Sequence, residues 1–253
     1  MTQGPLIEAR GIVRRFGHVQ ALQGADFDVG RGEIVGLIGD NGAGKSTLIR
    51  ILSGADFPTS GEIRVNGRSI RFNRPQDARA VGIETIYQDL SLAPDLDTAA
   101  NVFLGREILK PGLLGRLGVL DKSGMARRTH EAMARLGVTI RASEVFNLSG
   151  GQRQSVAVAR AAMWATSVIF MDEPTAALGV VQTRGVLDLI RRVRDAGISV
   201  VLISHNLPQV LEIADRIFVL RLGRTVGQVA ASATTVDDLV SAMMSGILRR
   251  QIA

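Results

Sequence analysis

The chain has 253 residues, of which 46% are apolar and 4% aromatic, so it can form a sizeable, mainly aliphatic core. It has no cysteine, which excludes disulfides and thiolate-bound metal ions. The net charge of +6 suits nucleic acid, anionic lipid or a nucleotide, but no dense Lys/Arg run marks a nucleic-acid arm, and a solvated basic surface is favoured. No stretch approaches the ~20 apolar residues of a membrane span, and residues 1–5 lack signal-peptide features, so we expect a soluble, cytosolic chain.

The first part of the chain is predicted to contain strands, a glycine-rich loop and a helix. Apolar runs predict strands over Leu6–Val13, Phe27–Val29 and Glu33–Ile38, and a helix over Ser46–Leu52. Gly61–Gly67 alternates apolar and polar residues, as a half-exposed strand does, and it ends in an Asn-Gly pair that strongly indicates a turn.

The second part changes from a helical region to an alternating pattern. Residues 89–164 show few strand signals and are predicted to be mostly helical, with a Pro/Gly-containing break at Lys110–Gly118. From Ser167 onward, short apolar strands alternate with amphipathic helices, which favours an α/β fold with a parallel sheet covered on both faces. The predicted strands are Val168–Met171, Ile198–Ser204 and Ile217–Arg221, and the predicted helices are Val180–Asp195, Leu207–Ala214 and the tail Val236–Met244.

The segment GDNGAGKST, from Gly39 to Thr47, fits the phosphate-binding pattern G-x-x-x-x-G-K-[ST]. Its glycines let the backbone N–H groups point inward around phosphate oxygens. In this pattern Lys45 reaches the β- and γ-phosphates, and the Ser46 hydroxyl coordinates Mg²⁺. The preceding strand and the following helix disfavour an ordinary glycine-rich turn. The predicted ATP-binding residues of this loop are Gly39, Asp40, Asn41, Gly42, Ala43, Gly44, Lys45, Ser46 and Thr47.

Two carboxylates, Asp172 and Glu173, directly follow the apolar run Val168–Met171. This places them at the C-terminal end of a buried strand, where the ligands of α/β proteins bind. Together with the glycine-rich loop, the pair predicts that Asp172 holds Mg²⁺ and that Glu173 activates the attacking water. An ordinary helix start is the alternative, because Pro174 follows.

The pentapeptide LSGGQ, Leu148–Gln152, precedes a predicted helix over Gln152–Trp164. A serine hydroxyl and backbone N–H groups at a helix N-terminus form a second anion site, although Ser-Gly-Gly alone is also a flexible cap. With the other motifs in this order, the chain resembles the ABC family of ATPase cassettes, from Phe16 to about Gly227. The resemblance implies nucleotide contacts from Ser149, Gly150, Gly151 and Gln152.

The resemblance assigns three further residues. Phe16 stands where an aromatic ring stacks on adenine, with a buried core side chain as the alternative. Gln88 resembles the glutamine that reaches Mg²⁺ and the attacking water. His205 resembles the switch histidine that contacts the γ-phosphate, with a structural histidine as the alternative. The implied catalytic residues are Glu173, His205 and Gln88, and the implied metal ligands are Ser46, Gln88 and Asp172.

One position departs from the family pattern. ABC cassettes usually carry Ser-Ala-Leu-Asp after the Glu-Pro-Thr segment, and this chain has Gly179 at the position of the aspartate. The family aspartate communicates across a dimer. Its absence predicts weaker or rerouted coupling between two sites, while Glu173 is retained for hydrolysis.

The resemblance also implies an architecture and an assembly. The expected fold is a single domain over residues 1–253, with a RecA-like core, an antiparallel β subdomain and a helical subdomain inserted at about 89–164. Two copies would form a head-to-tail homodimer, with ATP between the loop of one chain and the LSGGQ segment of the other. We expect hydrolysis to open this dimer.

The finer resemblance is to single-cassette members of the bacterial monosaccharide importers of the ribose, xylose and fructose type. It rests on the segments Ile83–Leu92, Asn101–Gly105 and Pro174–Val180. It implies an ATPase at the cytoplasmic face of the inner membrane that docks on permease subunits, through a groove near Leu90–Leu104, and works with a sugar-binding protein. A non-sugar importer or an exporter is the alternative. Ribosome-bound and DNA-repair ATPases are disfavoured, because this chain lacks a second cassette, a long charged linker and sustained heptads, and no nucleic-acid partner is expected.

Overall fold

The computed structural model describes residues 4–140 and 144–248. The strands in these residues are β1 (Ile7–Phe16), β2 (Val19–Val29), β3 (Ile34–Ile38), β4 (Ser60–Val65), β5 (Arg68–Ile70), β6 (Ile83–Ile86), β7 (Val168–Asp172), β8 (Ser199–Ile203), β9 (Arg216–Arg221) and β10 (Arg224–Ala230). The α-helices are α1 (Lys45–Leu52), α2 (Pro75–Ala80), α3 (Thr98–Phe103), α4 (Leu113–Arg116), α5 (Lys122–Arg135), α6 (Gly150–Trp164), α7 (Val180–Asp195), α8 (Leu207–Ile213) and α9 (Val236–Ser245). Residues 1–3, part of the segment predicted to lack a signal peptide, lie outside this description.

The strands form two sheets. One is antiparallel, with the order β2-β1-β4-β5, and the other has the order β10-β9-β3-β8-β7-β6. In the second sheet β9, β3, β8, β7 and β6 run parallel, and β10 is an antiparallel edge strand. Strands β3 and β8 are buried at every residue, as expected for a parallel sheet with both faces covered.

The two faces of the parallel sheet belong to two different cores. On one face, the buried side chains of α1 pack between this sheet and the antiparallel sheet, together with those of β1 and β2. On the other face, α3, α5, α6, α7, α8 and α9 contribute to a second core. The helix that follows the glycine-rich loop is therefore held from two sides.

The region between β6 and β7 confirms the prediction of a mostly helical segment. It contains α3, α4, α5 and α6. The predicted break at Lys110–Gly118 is not wholly irregular, because it holds the short helix α4. No helix among the described residues is both long and apolar enough to cross a membrane.

Two strands were predicted too short, and four elements among the described residues were not predicted at all. The predicted strand Leu6–Val13 extends to Phe16, and Phe27–Val29 is only the end of β2. The pairing of β1 and β2 contains register shifts, which interrupt the alternation that marks a strand in sequence. The elements β5, α2, β6 and β10 were not predicted. The Asn66-Gly67 turn is confirmed, since both residues have positive φ between paired strands.

Candidate functional site

The glycine-rich loop runs from the end of β3 to the start of α1. A Cβ added to Gly39 would lie 2.1 Å from the carbonyl oxygen of Leu220, and one added to Gly44 would lie 2.8 Å from that of Ala21. Both glycines also have positive φ. Two backbone approaches therefore require glycine here. No atom lies within 4 Å of the Cβ position of Gly42, so this part of the loop is open.

Helix α1 begins at Lys45, one residue before the predicted start, and its first N–H groups lack intrahelical partners next to the loop. The Lys45 ammonium group donates to the carbonyl oxygens of Gly39 at 2.6 Å and Asp40 at 3.0 Å. Burial lowers the pKa of Lys45, while the charges of Glu173, Asp172 and Asp40 oppose this shift. The ammonium group of Lys45 is therefore held inside the glycine-rich loop.

The Ser46 hydroxyl lies opposite Asp172. The Ser46 Oγ donates to Asp172 Oδ2 across 3.5 Å. Burial raises the pKa of Asp172, and the charge of Glu173 raises it further, while Lys45 and the Ser46 hydrogen bond lower it. A cation placed between these two oxygens would relieve the penalty on the ionised carboxylate.

The donor set fits Mg²⁺ in its chemistry. Mg²⁺ prefers oxygen ligands and is usually held by one or two carboxylates together with substrate phosphates and water. Among the described residues no group of three or more His, Cys, Asp or Glu side chains is arranged to hold a metal ion. One hydroxyl and one carboxylate beside a phosphate loop match an ion that is shared with a nucleotide.

Glu173 and His205 are brought into contact at the ends of β7 and β8. The Nδ1 of His205 lies 2.8 Å from Glu173 Oε1, and the backbone N–H of His205 donates to the same oxygen at 3.0 Å. The Ser204 hydroxyl donates to Glu173 Oε2 across 3.5 Å. Glu173 has a φ of 51°, which is uncommon for a residue with a side chain. The hydrogen bonds hold the carboxylate in place, and they help to maintain the uncommon backbone conformation of Glu173.

Ser204 was missed as a neighbour of Glu173 at the sequence level. It is 1% exposed and directly follows β8, and its hydroxyl also accepts a hydrogen bond from the N–H of Asn206. Its position immediately before the predicted switch histidine was the available signal.

Gln88 lies just after β6 in a tight turn. The N–H of Leu90 donates to the Tyr87 carbonyl oxygen at 2.9 Å, which closes the turn around Gln88. The Gln88 side chain is exposed and makes no hydrogen bond to the described residues. Its predicted contacts with Mg²⁺ and water stay predictions.

Phe16 ends β1 and has 47% of its surface exposed. The alternative of a buried core phenylalanine is therefore wrong. The Arg14 guanidinium lies over the ring, 4.4 Å from its centroid, and is itself paired with Asp56 at 2.6 Å. One face of the ring is thus covered by a fixed cation, so a flat ligand would need to stack on the other face.

The LSGGQ segment is a capped helix start. The Ser149 hydroxyl accepts from the N–H of Gln152 at 3.3 Å, and Gln152 Oε1 accepts from the N–H of Ser149 at 2.9 Å. The helix begins at Gly150, two residues before the predicted start. The reciprocal bonds make this a capping box, while Ser149 stays exposed. No hydrogen bond among the described residues joins this segment to the glycine-rich loop.

Gly179 precedes α7 and leaves that helix without a side-chain cap. A Cβ at Gly179 would lie 2.6 Å from Gln182 Oε1, and one at Gly151 would lie 2.9 Å from Gln182 Cγ. The Gln182 side chain therefore lies between the turn at Gly179 and the first turn of α6. Sequence reasoning did not single out Gln182.

The structure thus brings the glycine-rich loop and the two acidic residues to one edge of the parallel sheet. The loop follows β3, Asp172 ends β7, and His205 follows β8, and these strands are neighbours. This edge is formed by the C-terminal ends of the strands, where α/β proteins bind ligands.

Comparison with known proteins places this arrangement in a family. Residues 22–176 match the profile of the family described as ABC transporter. The chain belongs to the ABC transporter family. It is an ATPase cassette that binds and hydrolyses ATP.

The relatives of this cassette include proteins of similar length. It is 51% identical to the fructose import ATP-binding protein FrcA of Rhizobium meliloti, with 96% of this chain and 95% of the relative covered. It is 44% identical to the xylose/arabinose import ATP-binding protein XylG of Sulfolobus acidocaldarius, covering 95% and 94%. Against the ribose import ATP-binding protein RbsA 1 of Rubrobacter xylanophilus, 98% of this chain matches at 44% identity but spans only 48% of the relative.

Solved structures show the same fold. The cassette superposes with a TM-score of 0.82 on MJ1267, an ATP-binding cassette of an ABC transporter, at 24% identity, covering 96% of this chain and 98% of that one. A nucleotide-free ATP-binding cassette from an ABC transporter gives a TM-score of 0.77 at 24% identity, covering 90% and 92%. At these identities the likeness concerns the fold.

Proposed function

We propose that this cassette hydrolyses ATP to power the import of a monosaccharide through a separate membrane permease. The observation that carries the proposal is the match at 51% identity, over nearly the whole of both chains, to a fructose import ATP-binding protein. The xylose/arabinose relative matches over almost its full length as well. A non-sugar importer or an exporter subunit is the second candidate.

The nucleotide would lie across the glycine-rich loop. The loop residues named above, Gly39 through Thr47, would hold the phosphates, with the Lys45 ammonium turning from its carbonyl partners toward the γ-phosphate. The free face of Phe16 would take the adenine. Ser46, Asp172 and Gln88 would hold Mg²⁺, which when bound neutralises charge on the phosphates.

The reacting end of the site would be built on Glu173. Its carboxylate would accept a proton from the attacking water as the water oxygen bonds to the γ-phosphorus, while the bond from that phosphorus to the β,γ-bridging oxygen breaks and ADP leaves. His205 and Ser204 hold the two carboxylate oxygens through the contacts described, so they would orient the base. Gln88, in the loop after β6, would help to position this water.

The LSGGQ segment would act on a second copy of the chain. Ser149, Gly150, Gly151 and Gln152 are exposed or half-exposed at the start of α6, where the positive end of the helix dipole favours anions. In a head-to-tail homodimer they would contact the nucleotide held by the partner copy. The γ-phosphate would add contacts that ADP lacks, and hydrolysis would remove them.

The assembly would lie at the cytoplasmic face of the inner membrane. Permease subunits would dock near Leu90–Leu104, and a sugar-binding protein would deliver the substrate on the other side. We infer a single domain over residues 1–253, with the helical subdomain inserted at about 89–164. No nucleic-acid partner is proposed.

The decisive experiment is capture of the chain from gently solubilised native membranes, followed by identification of the bound proteins and a sugar-dependent ATPase assay. A multi-span permease and stimulation by a sugar-loaded binding protein support the proposal. A permease stimulated only by a non-sugar substrate supports the second candidate. Recovery of ribosomes or DNA-repair proteins instead would contradict both.

A further inference from the structure

The loop that carries Gln88 is fixed at both of its ends. At the start, the Tyr87 hydroxyl lies 3.2 Å from the Ser53 hydroxyl, and Ser53 is the C-terminal cap of α1. At the other end, Arg160 of α6 reaches the loop. The loop thus connects the helix of the phosphate loop to the helix that begins at the LSGGQ segment.

Arg160 holds the loop through two parallel hydrogen bonds. Its Nη1 donates to the Ser91 carbonyl oxygen and its Nη2 to the Leu90 carbonyl oxygen, both at 2.7 Å. Arg160 is half-buried, and burial lowers its pKa, with the charges of Glu84 and Asp89 acting in the opposite direction. It makes no salt bridge within the described residues, so backbone carbonyl groups are its direct partners.

The two residues that Arg160 binds have an unusual backbone. Leu90 has a φ of 58° and Ser91 a φ of 46°, a region that residues with side chains rarely occupy. Asp89 supports this conformation by accepting from the Ser91 N–H at 3.2 Å and from its hydroxyl at 2.9 Å. Strained backbone of this kind persists only where surrounding contacts maintain it.

We infer that Arg160 is a positioning residue for Gln88, which ties the Gln88 loop to α6. The inference rests on the proposed role of Gln88 at the nucleotide. Arg160 is placed to act through the loop, because the hydrogen bonds of its guanidinium among the described residues go to two loop carbonyl groups. Any shift of α6 relative to α1 would therefore move one end of the Gln88 loop and leave the other in place.

A double-mutant cycle tests this inference. Arg160→Lys keeps the charge but removes the two-pronged geometry that binds both carbonyl groups. We expect it to lower kcat for ATP roughly 10-fold and to change KM less than about 2-fold. In a Gln88→Ala background, the same substitution is expected to lower kcat no further, because both changes remove one function.

Arg192→Lys is the matched control. Arg192 also donates to two loop carbonyl oxygens, although through Nη1 alone, those of Leu136 at 2.9 Å and Gly137 at 3.3 Å, and its loop does not contain Gln88. We expect this control to retain kcat. An equal loss from Arg160→Lys in both backgrounds, or an equal loss from Arg192→Lys, would overturn the inference. If Arg160→Lys does not fold, Arg160→Gln keeps most of the stem and replaces it in the cycle.

Amide hydrogen exchange provides a second readout that does not depend on hydrolysis. In the nucleotide-free protein, we expect Arg160→Lys to accelerate exchange at residues 88–91, while Arg192→Lys leaves them unchanged. Unchanged exchange in Arg160→Lys would overturn the inference. A chain that hydrolyses no ATP would contradict the proposed function, and the exchange result would still decide whether Arg160 holds the loop.

Discussion

Asp172 is a residue whose ionised form is unfavourable in the free protein. Burial raises its pKa above the ordinary value, so folding at neutral pH places a charge where it is poorly solvated. The penalty is present where Asp172 is ionised in the folded protein, and it disappears as the pH falls through its raised pKa toward the unfolded value. We therefore expect Asp172, a proposed metal ligand, to reduce the free energy of unfolding of the nucleotide-free protein at neutral pH.

Asp172→Asn tests this expectation. At pH 7 the Tm of the nucleotide-free protein should rise, by about 2–4 °C for each kcal/mol of penalty removed. The gain should shrink as the pH is lowered from 7 to about 4, through the raised pKa of the native carboxyl group toward the ordinary value of an aspartate. Thermal unfolding with and without the substitution measures this. An equal gain at both pH values would show that charge burial is not the cause.

Glu173→Gln keeps the shape of the side chain and removes its basicity. We expect kcat for ATP hydrolysis to fall 10²–10⁴-fold, roughly the contribution of a general base, with ATP binding retained. Binding of a fluorescent ATP analogue and single-turnover hydrolysis separate the two effects. Hydrolysis at the parental rate would show that another group accepts the proton.

Two glycines, one just before helix α7 and one inside it, have different surroundings. Gly185 lies on the exposed face in the helix interior, and no atom lies within 4 Å of its Cβ position. Gly179 lies at the uncapped N-terminus, next to Gln182. A side chain added at Gly185 therefore meets no neighbouring atom. A side chain added at Gly179 has to displace the flexible carboxamide of Gln182.

We expect Gly185→Ala to stabilise the protein by about 0.5–1 kcal/mol, because alanine restricts the unfolded chain and favours helix. Gly179→Asp should gain less, a few tenths of a kcal/mol, since glycine is itself an acceptable cap and Gln182 has to move. Urea unfolding of both variants checks the order. A larger gain from Gly179→Asp would mean that the missing cap, and not the interior glycine, limits the helix.

ATP should stabilise the whole molecule through the loop on α1. At an ATP concentration of 100 times Kd, linkage adds about 2.7 kcal/mol to the free energy of unfolding. For a domain of this size, we expect the Tm to rise by roughly 5–10 °C. Differential scanning fluorimetry of Glu173→Gln, which should not consume the nucleotide, gives the measurement. Lys45→Ala is the matched control, and a rise of the same size in that variant would place the nucleotide elsewhere.

Much of the site was predictable because its determinants are local in sequence. Gly39 and Gly44 are required by backbone approaches within a nine-residue pattern, and Asp172 and Glu173 directly follow a recognisable buried strand. Irregular strands were harder. The extent of β2 was hidden by register shifts in its pairing with β1.

Contacts between distant segments were not predictable from pattern. The hydrogen bond between Arg160 and Leu90 joins a helix to a loop 70 residues earlier in the chain. An arginine within a helix gives no local sequence signal of the group to which it donates. Gln182 likewise packs against Gly151 only because α6 and α7 are neighbours. The exposure of Phe16 depended on where β1 ends.

Helix α1 is packed between two sheets, and this has a thermodynamic consequence for the ligand. Its side chains Leu48, Ile49, Ile51 and Leu52 are buried, so the first turn of the helix cannot drift away from β3. The conformational entropy of the phosphate-binding backbone is therefore lost when the chain folds. A nucleotide meets a preorganised site, and the ordering of that site lowers the stability of the fold instead of weakening the affinity for the ligand.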